Sequence, residues 1–208
     1  MDDAFLTAIF DYGWRVTPGL LLIAITYFVL PRRAALAKIF MIVFAFLLVR
    51  DAMTPVGFWE FGVSSHTIWV RFADHALLLI TLGITSLLFT GFILRFNPDL
   101  NRYLLWFGSN KIVSLLIGIA GAVAVVAPIG VTYSFMPLEA RGGAVPVSLL
   151  LPLLFMALCG NWLEEVLFRG YLQGYFAEKT GPWRAAFLSG LIFAAGHVFL
   201  SATVTDLG

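Results

Sequence analysis

The sequence has little charge and almost no cysteine. Only 12% of its 208 residues are charged, whereas 61% are hydrophobic, far above the roughly 45–50% that is usual in soluble proteins. A net charge of +1 gives no indication of a nucleic-acid partner. The single cysteine, Cys159, excludes an internal disulfide and a thiolate metal cluster, and we interpret it as a small packing residue. The composition predicts a polytopic membrane protein.

Apolar stretches of helical length predict an all-α fold. A helix needs about 20 mostly apolar residues to cross a bilayer, and the chain offers several such stretches separated by turn-forming and charged residues. We predict one integral membrane domain over residues 1–208, a helical bundle with about six transmembrane helices. The predicted helices cover residues 14–30, 34–49, 76–94, 112–133, 147–176 and 183–202, with a long connection over residues 52–70.

The N-terminus is predicted to be retained and to face outward. It is acidic and lacks the basic segment and small-residue cleavage site of a signal peptide. Nine of the 13 Lys and Arg residues fall in alternate regions that include the loop Pro31–Arg33, and the side richer in basic residues is normally cytoplasmic. The loop after the fifth predicted helix should therefore be cytoplasmic too.

One predicted helix carries charge inside a long apolar run, within Gly160–Gly170. Ionisable side chains are costly in lipid and usually face a bundle interior or a water-filled cavity. Because residues four apart share a helical face, Asn161, Glu165 and Arg169 form one polar stripe, and Glu165 is predicted to pair with Arg169. Glu164 points about 100° away and has no cation at helical spacing.

Helical spacing alone leaves three interpretations of these charges. They could form a buried network that fixes helix packing, or they could line a proton or ion pathway. In the third interpretation, Glu164 is a general base in a catalytic site.

His197 on the following predicted helix favours the catalytic interpretation. About equally many residues separate Glu164 and His197 from the turn near Thr180, so an antiparallel hairpin places the two side chains at the same depth. A carboxylate and an imidazole at equal depth can activate a water molecule. His197 also shares a face with small residues, which predicts close contact with a neighbouring helix: Ala186, Gly190 and Ala194.

The other candidate residues have simpler interpretations. His66 in the long connection and His75 at a helix start are interpreted as structural or solvated. Ser189 would need a base within hydrogen-bond reach to act as a nucleophile. A catalytic zinc ion would need three protein ligands, and Glu164 and His197 supply two. No cofactor is therefore predicted, with zinc as the weaker alternative.

Two motifs resemble those of a known protease family. Glu164–Gly170 resembles the EExxxR signature, and Phe193–His197 resembles the FxxxH motif, of the CPBP family of CAAX-processing and bacteriocin-processing intramembrane proteases. The resemblance is concentrated in residues 147–201. It implies a multi-pass protein of the bacterial plasma membrane that hydrolyses a peptide or membrane-protein substrate without a covalent intermediate.

The resemblance also implies roles for individual residues. Glu164 would activate the attacking water, and His197 would help to hold that water. The family's third motif, a histidine followed four residues later by an asparagine that stabilises the oxyanion, has no match before Gly208. We interpret the chain as a truncated form in preference to a degenerate member, which leaves its activity open. Supporting roles fall to Glu165, Arg169, Asn161 and Phe193.

Other classes of protein stay open beside this interpretation. A non-catalytic membrane protein, such as an immunity or partner-binding factor, could use the same fold. A metal-dependent membrane protease and a proton-coupled transporter are further alternatives.

Overall fold

The fold is a helical bundle in which one helical stretch, Val147–Thr180, is longer than the others. The structure is a computed structural model that describes residues 3–63, 68–106 and 108–201. The helices are α1 (Asp3–Val29), α2 (Ala35–Asp51), α3 (Ala76–Phe96), the short α4 (Pro98–Asn101), α5 (Lys111–Ser134), α6 (Leu150–Glu164), α7 (Gln173–Thr180) and α8 (Pro182–Ser201). A π-helical segment, Glu165–Leu172, joins α6 to α7. Helical structure is therefore continuous over Val147–Thr180, the motif helix.

The all-α prediction is confirmed, and four helices are long and apolar enough to cross a membrane. They are Leu6–Val29, Ala76–Phe96, Lys111–Ser134 and Val147–Thr180. All six predicted helices are present as helices, while the count of six spans stays a prediction. Helix α1 begins at Asp3, well before the predicted start, and Asp11 pairs with Arg15 along it at 2.8 Å.

The predicted long connection contains a β-hairpin. Strands β1 (Trp59–Val63) and β2 (Ile68–Phe72) pair antiparallel, with Trp59 opposite Phe72. The two rings lie 5.8 Å apart between centroids, the kind of aromatic cross-strand pair that stabilises a sheet. The connection is thus more ordered than predicted. His66 lies outside the described residues.

The apolar core lies where the motif helix crosses α2 and α3. Its π-helical segment contributes several of the most deeply buried side chains, and Phe168 contacts Phe46 of α2 edge-on. Burying one large apolar side chain contributes roughly 1.5–3 kcal/mol, so this packing fixes the motif helix within the bundle. The buried members include Ile39, Val43, Phe46, Ile93, Leu163, Val166, Leu167, Phe168, Tyr171 and Leu172.

Two glycines let the segment after α4 approach the motif helix closely. A Cβ atom at Gly170 would lie 2.4 Å from Cδ2 of Leu104, and one at Gly174 would lie 2.0 Å from the carbonyl oxygen of Tyr103. Both separations are shorter than van der Waals contact. The hydroxyl of buried Tyr171 donates to Oδ1 of Asn101, the last residue of α4, at 2.7 Å. The glycines therefore set how tightly the chain packs against the motif helix.

Helix α8 packs on the motif helix through a different face from the predicted one. Ser189 is buried, and its hydroxyl donates to the carbonyl oxygen of Phe168 at 2.7 Å. Ala186, Gly190 and Ala194 are exposed, and a Cβ at Gly190 would have no described atom within 4 Å. The predicted contact through the small residues is wrong, because the Ser189 hydrogen bond turns the neighbouring face inward.

Candidate active site

The two residues predicted to act on water lie next to each other. Glu164 ends α6, and His197 lies near the end of α8. The Oε1 atom of Glu164 is 3.9 Å from Nε2 of His197, and the two side chains are 16% and 43% exposed. The predicted depth match between the two residues is therefore confirmed. The Glu164 carboxylate is thus largely shielded by the protein, whereas the His197 imidazole is partly exposed at the protein surface.

The His197 ring is oriented by its own helix. Its Nδ1 atom lies 2.9 Å from the carbonyl oxygen of Phe193. A carbonyl only accepts hydrogen bonds, so Nδ1 carries a proton and donates it there. The Phe193 ring packs against the imidazole, with 4.3 Å between centroids. Nε2 is then the nitrogen that faces Glu164.

Glu165 and Arg169 form the predicted ion pair on an open face of the motif helix. Nη1 of Arg169 is 3.6 Å from Oε1 of Glu165, and the side chains are 42% and 56% exposed. Arg169 also lies over the Phe193 ring, 4.1 Å from its centroid. Asn161, one turn earlier, is exposed as well. The polar stripe therefore points away from the apolar core. It lies on the side where the His197 ring is exposed.

The helix changes its hydrogen-bond register at the motif itself. The α-helix ends at Glu164, the π-helical segment begins at Glu165, and the backbone N–H of Gln173 reaches the carbonyl oxygen of Phe168. π-Helical turns are rare and occur frequently at functional sites. The same Phe168 oxygen accepts the Ser189 hydroxyl. The boundary between the two helical forms therefore lies between Glu164 and Glu165.

Arg50 of α2 is a neighbour of the site that sequence reasoning missed. It is buried, and its Nη1 lies 3.4 Å from Nε2 of His197. Its Nη2 donates to the carbonyl oxygen of Gly196 at 2.9 Å. A charged residue at the end of an apolar helix normally extends to the membrane interface, so the sequence held no signal that Arg50 turns inward.

No ready metal site is found in the described part of the chain. Among residues 3–63, 68–106 and 108–201, no three His, Cys, Asp or Glu side chains are arranged to hold a metal ion. A catalytic zinc site needs three protein ligands, whereas Glu164 and His197 supply two.

The remaining candidate residues, His75, Cys159 and Ser189, have contacts or burial that fit a structural role. His75 caps the start of α3, where its Nδ1 accepts from the backbone N–H of Leu78 at 3.3 Å. Cys159 is buried on α6, as predicted for a packing residue. The Ser189 hydroxyl is directed at the Phe168 carbonyl oxygen.

Replacing Arg169 by alanine should destabilise the protein more than replacing Glu165 by glutamine. Arg169→Ala removes both the ion pair and the contact with the Phe193 ring, and such contacts at exposed positions contribute about 0.5–1 kcal/mol each. Glu165→Gln removes the ion pair alone. We expect losses of about 1 and about 0.5 kcal/mol in the free energy of unfolding, measured by thermal unfolding in detergent. Equal losses would show that the aromatic contact contributes nothing.

Comparison with known protein families gives a match to the part of the chain that contains both motifs. Residues 146–207 match the family described as type II CAAX prenyl endopeptidase Rce1-like. The match covers less than half of the chain and includes both motifs, with Glu164, Glu165, Arg169 and His197. No curated protein and no solved structure matches the chain. Residues 146–207 are therefore similar to the Rce1-like endopeptidases, in agreement with the resemblance that the two motifs carry.

Proposed function

We propose that this chain is an intramembrane endopeptidase of the bacterial plasma membrane in which Glu164 activates a water molecule. The observation that supports it most is the 3.9 Å between Oε1 of Glu164 and Nε2 of His197, within a segment similar to the CAAX prenyl endopeptidases. This separation is too long for a direct hydrogen bond. It suits a single water that bonds to both atoms.

The proposed reaction uses the two side chains in turn. The water donates one hydrogen to Glu164 and the other to Nε2 of His197. Its oxygen attacks the carbonyl carbon of the peptide bond as Glu164 takes the first proton. The tetrahedral intermediate then loses the amine, which receives that proton from Glu164. General acid–base catalysis of this kind contributes about 10²–10⁴ in rate, and no covalent bond to the enzyme forms.

The exposed polar stripe supports a peptide as the substrate. Glu165 and Arg169 are about half exposed, and Asn161 continues the same stripe. Their donors and acceptors face the side on which His197 is open, where an extended peptide offers backbone N–H and C=O groups. We propose that these three residues and Phe193 support the site and that it uses no cofactor.

The test is cleavage by the purified chain reconstituted in liposomes. Three reporters are compared: a peptide ending in a farnesylated CAAX sequence, the same peptide without the prenyl group, and an apolar transmembrane peptide. We expect cleavage of at least one reporter, with the reporter that is cleaved defining the substrate class. A chelator should leave the rate unchanged. Failure to cleave any reporter, or a rate that needs zinc, would contradict the proposal.

A further inference from the structure

The hydrogen bond from Ser189 ties α8 to the motif helix within its π-helical segment. We propose that Ser189 is a positioning residue: by holding the Phe168 carbonyl group in the π-helical register, it fixes where Glu164 lies relative to His197. The effect on cleavage rests on the proposed function. The effect on the helical register does not, because it follows from contacts between α8 and the motif helix alone.

The carbonyl oxygen of Phe168 accepts hydrogen bonds from two directions. Along the helix, the backbone N–H of Gln173 reaches it from five residues later, which is the π-helical pattern. From α8, the Ser189 hydroxyl donates to it at 2.7 Å. A carbonyl oxygen has two lone pairs, so it accommodates both donors. Ser189 is 1% exposed, so water does not compete with its hydroxyl for this oxygen.

The donor on α8 favours the wider π-helical turn. In an α-helix, the N–H of Leu172 would bond to the Phe168 oxygen. A donor outside a helix tilts a carbonyl group away from the helix axis and lengthens its bond along the helix. Because Ser189 draws the Phe168 oxygen towards α8, the N–H that reaches it is that of Gln173. Without the hydroxyl, this turn should return to the α-helical register.

Phe168 connects the two halves of the candidate site. Its backbone follows Glu164 by four residues in the continuous motif helix. Its ring packs edge-on against Phe193, with 5.1 Å between centroids, and Phe193 packs in turn against the His197 ring. A change of register at Phe168 therefore moves the support of the imidazole relative to the carboxylate. The 3.9 Å between Glu164 and His197, which suits one bridging water, then depends on Ser189.

The direct test is solid-state NMR on the protein in liposomes. Gln173 is the only glutamine of the chain, and Phe168–Arg169 is its only Phe–Arg pair. Phenylalanine labelled with ¹³C at the carbonyl, combined with backbone ¹⁵N-glutamine, gives the distance from the Phe168 carbonyl carbon to the Gln173 nitrogen. Combined with ¹⁵N-arginine, it gives the chemical shift of the same carbonyl. We expect Ser189→Ala to lengthen the distance and to shift the carbonyl signal.

Two further variants show whether the hydroxyl is responsible. Ser189→Thr keeps a hydroxyl at the same position and should retain the wild-type distance and carbonyl signal. Ser86→Ala is the matched control, because the Ser86 hydroxyl donates to the carbonyl oxygen of Leu82 within its own helix at 2.9 Å. It should change neither value.

The distance from Phe168 to Gln173 decides the inference. An unchanged distance in folded Ser189→Ala would overturn it, whether or not the carbonyl signal moves. If Ser189→Ala does not fold, Ser189→Cys takes its place, because a thiol is only a weak donor. A wild-type distance in Ser189→Cys would then overturn the inference.

Cleavage assays separate this inference from the proposed function. Ser189→Ala should lower kcat about 10–100-fold, because a misplacement of about 1 Å costs on the order of 10² in rate. Ser189→Thr should restore most of that loss. A chain that cleaves no reporter but shows the expected NMR results refutes the proposed function alone. Cleavage by Ser189→Ala at the wild-type rate refutes the positioning role and leaves the proposed function intact.

Discussion

Replacing Glu164 by glutamine is expected to lower the rate of peptide cleavage by about 10²–10⁴, the contribution of a general base. Glutamine has nearly the same shape, so the packing of α6 should survive, but its amide cannot take a proton from water. The measurement is kcat and KM of the purified variant in liposomes, beside thermal unfolding. KM should change little, because Glu164 acts on the water.

Glu178→Gln provides the control for a lost carboxylate. Glu178 lies on α7 of the same motif helix, where it pairs with Lys179 on the surface, away from His197. This variant should keep the wild-type rate and stability. If Glu164→Gln retained more than a tenth of the wild-type rate, Glu164 would not be the base, and the ion pair or transport interpretations of the motif would regain support.

Replacing Gly174 by alanine is expected to produce the largest loss of stability. The added Cβ would lie 2.0 Å from the carbonyl oxygen of Tyr103 and 2.9 Å from its carbonyl carbon. Backbone atoms cannot move aside as a flexible side chain can, and Tyr103 is itself buried. Overpacking typically costs about 1–3 kcal/mol, and we expect a loss at or above the top of that range. Thermal unfolding in detergent measures it.

Gly160→Ala tests whether the loss of stability in Gly174→Ala comes from the close approach to Tyr103 or simply from replacing a glycine. Gly160 lies on the same motif helix, and a Cβ there would have no described atom within 4 Å. Alanine is the better helix former by about 1 kcal/mol, so Gly160→Ala should be neutral or stabilising. Similar melting temperatures for the two variants would contradict the close approach at Gly174.

The helices and the central pair of the site could be predicted because they follow from local rules. Apolar runs of bilayer length predict helices whatever their neighbours are. The depth match of Glu164 and His197 needed only a turn and the rise of a helix. The pairing of Glu165 with Arg169 likewise follows from spacing along one helix.

The rest of the site depends on contacts between distant parts of the chain. The face of α8 that packs is decided by the hydrogen bond from Ser189 to the Phe168 carbonyl oxygen, which residue spacing does not reveal. The π-helical register also depends on which backbone N–H reaches that oxygen. Arg50 turns inward because it meets the end of α8, far along the sequence. No local pattern marks such contacts.

Water activation by Glu164 is tested most directly by following the oxygen atom of the attacking water into the products. Purified wild-type protein in excess over a cleavable reporter is allowed one turnover in H₂¹⁸O, and mass spectrometry is applied to the product and to the enzyme peptide that contains Glu164. If Glu164 activates water, the new carboxylate of the product should contain one ¹⁸O atom and the enzyme peptide should contain none. Label on Glu164 would show that its carboxylate attacked the substrate directly and would contradict water activation.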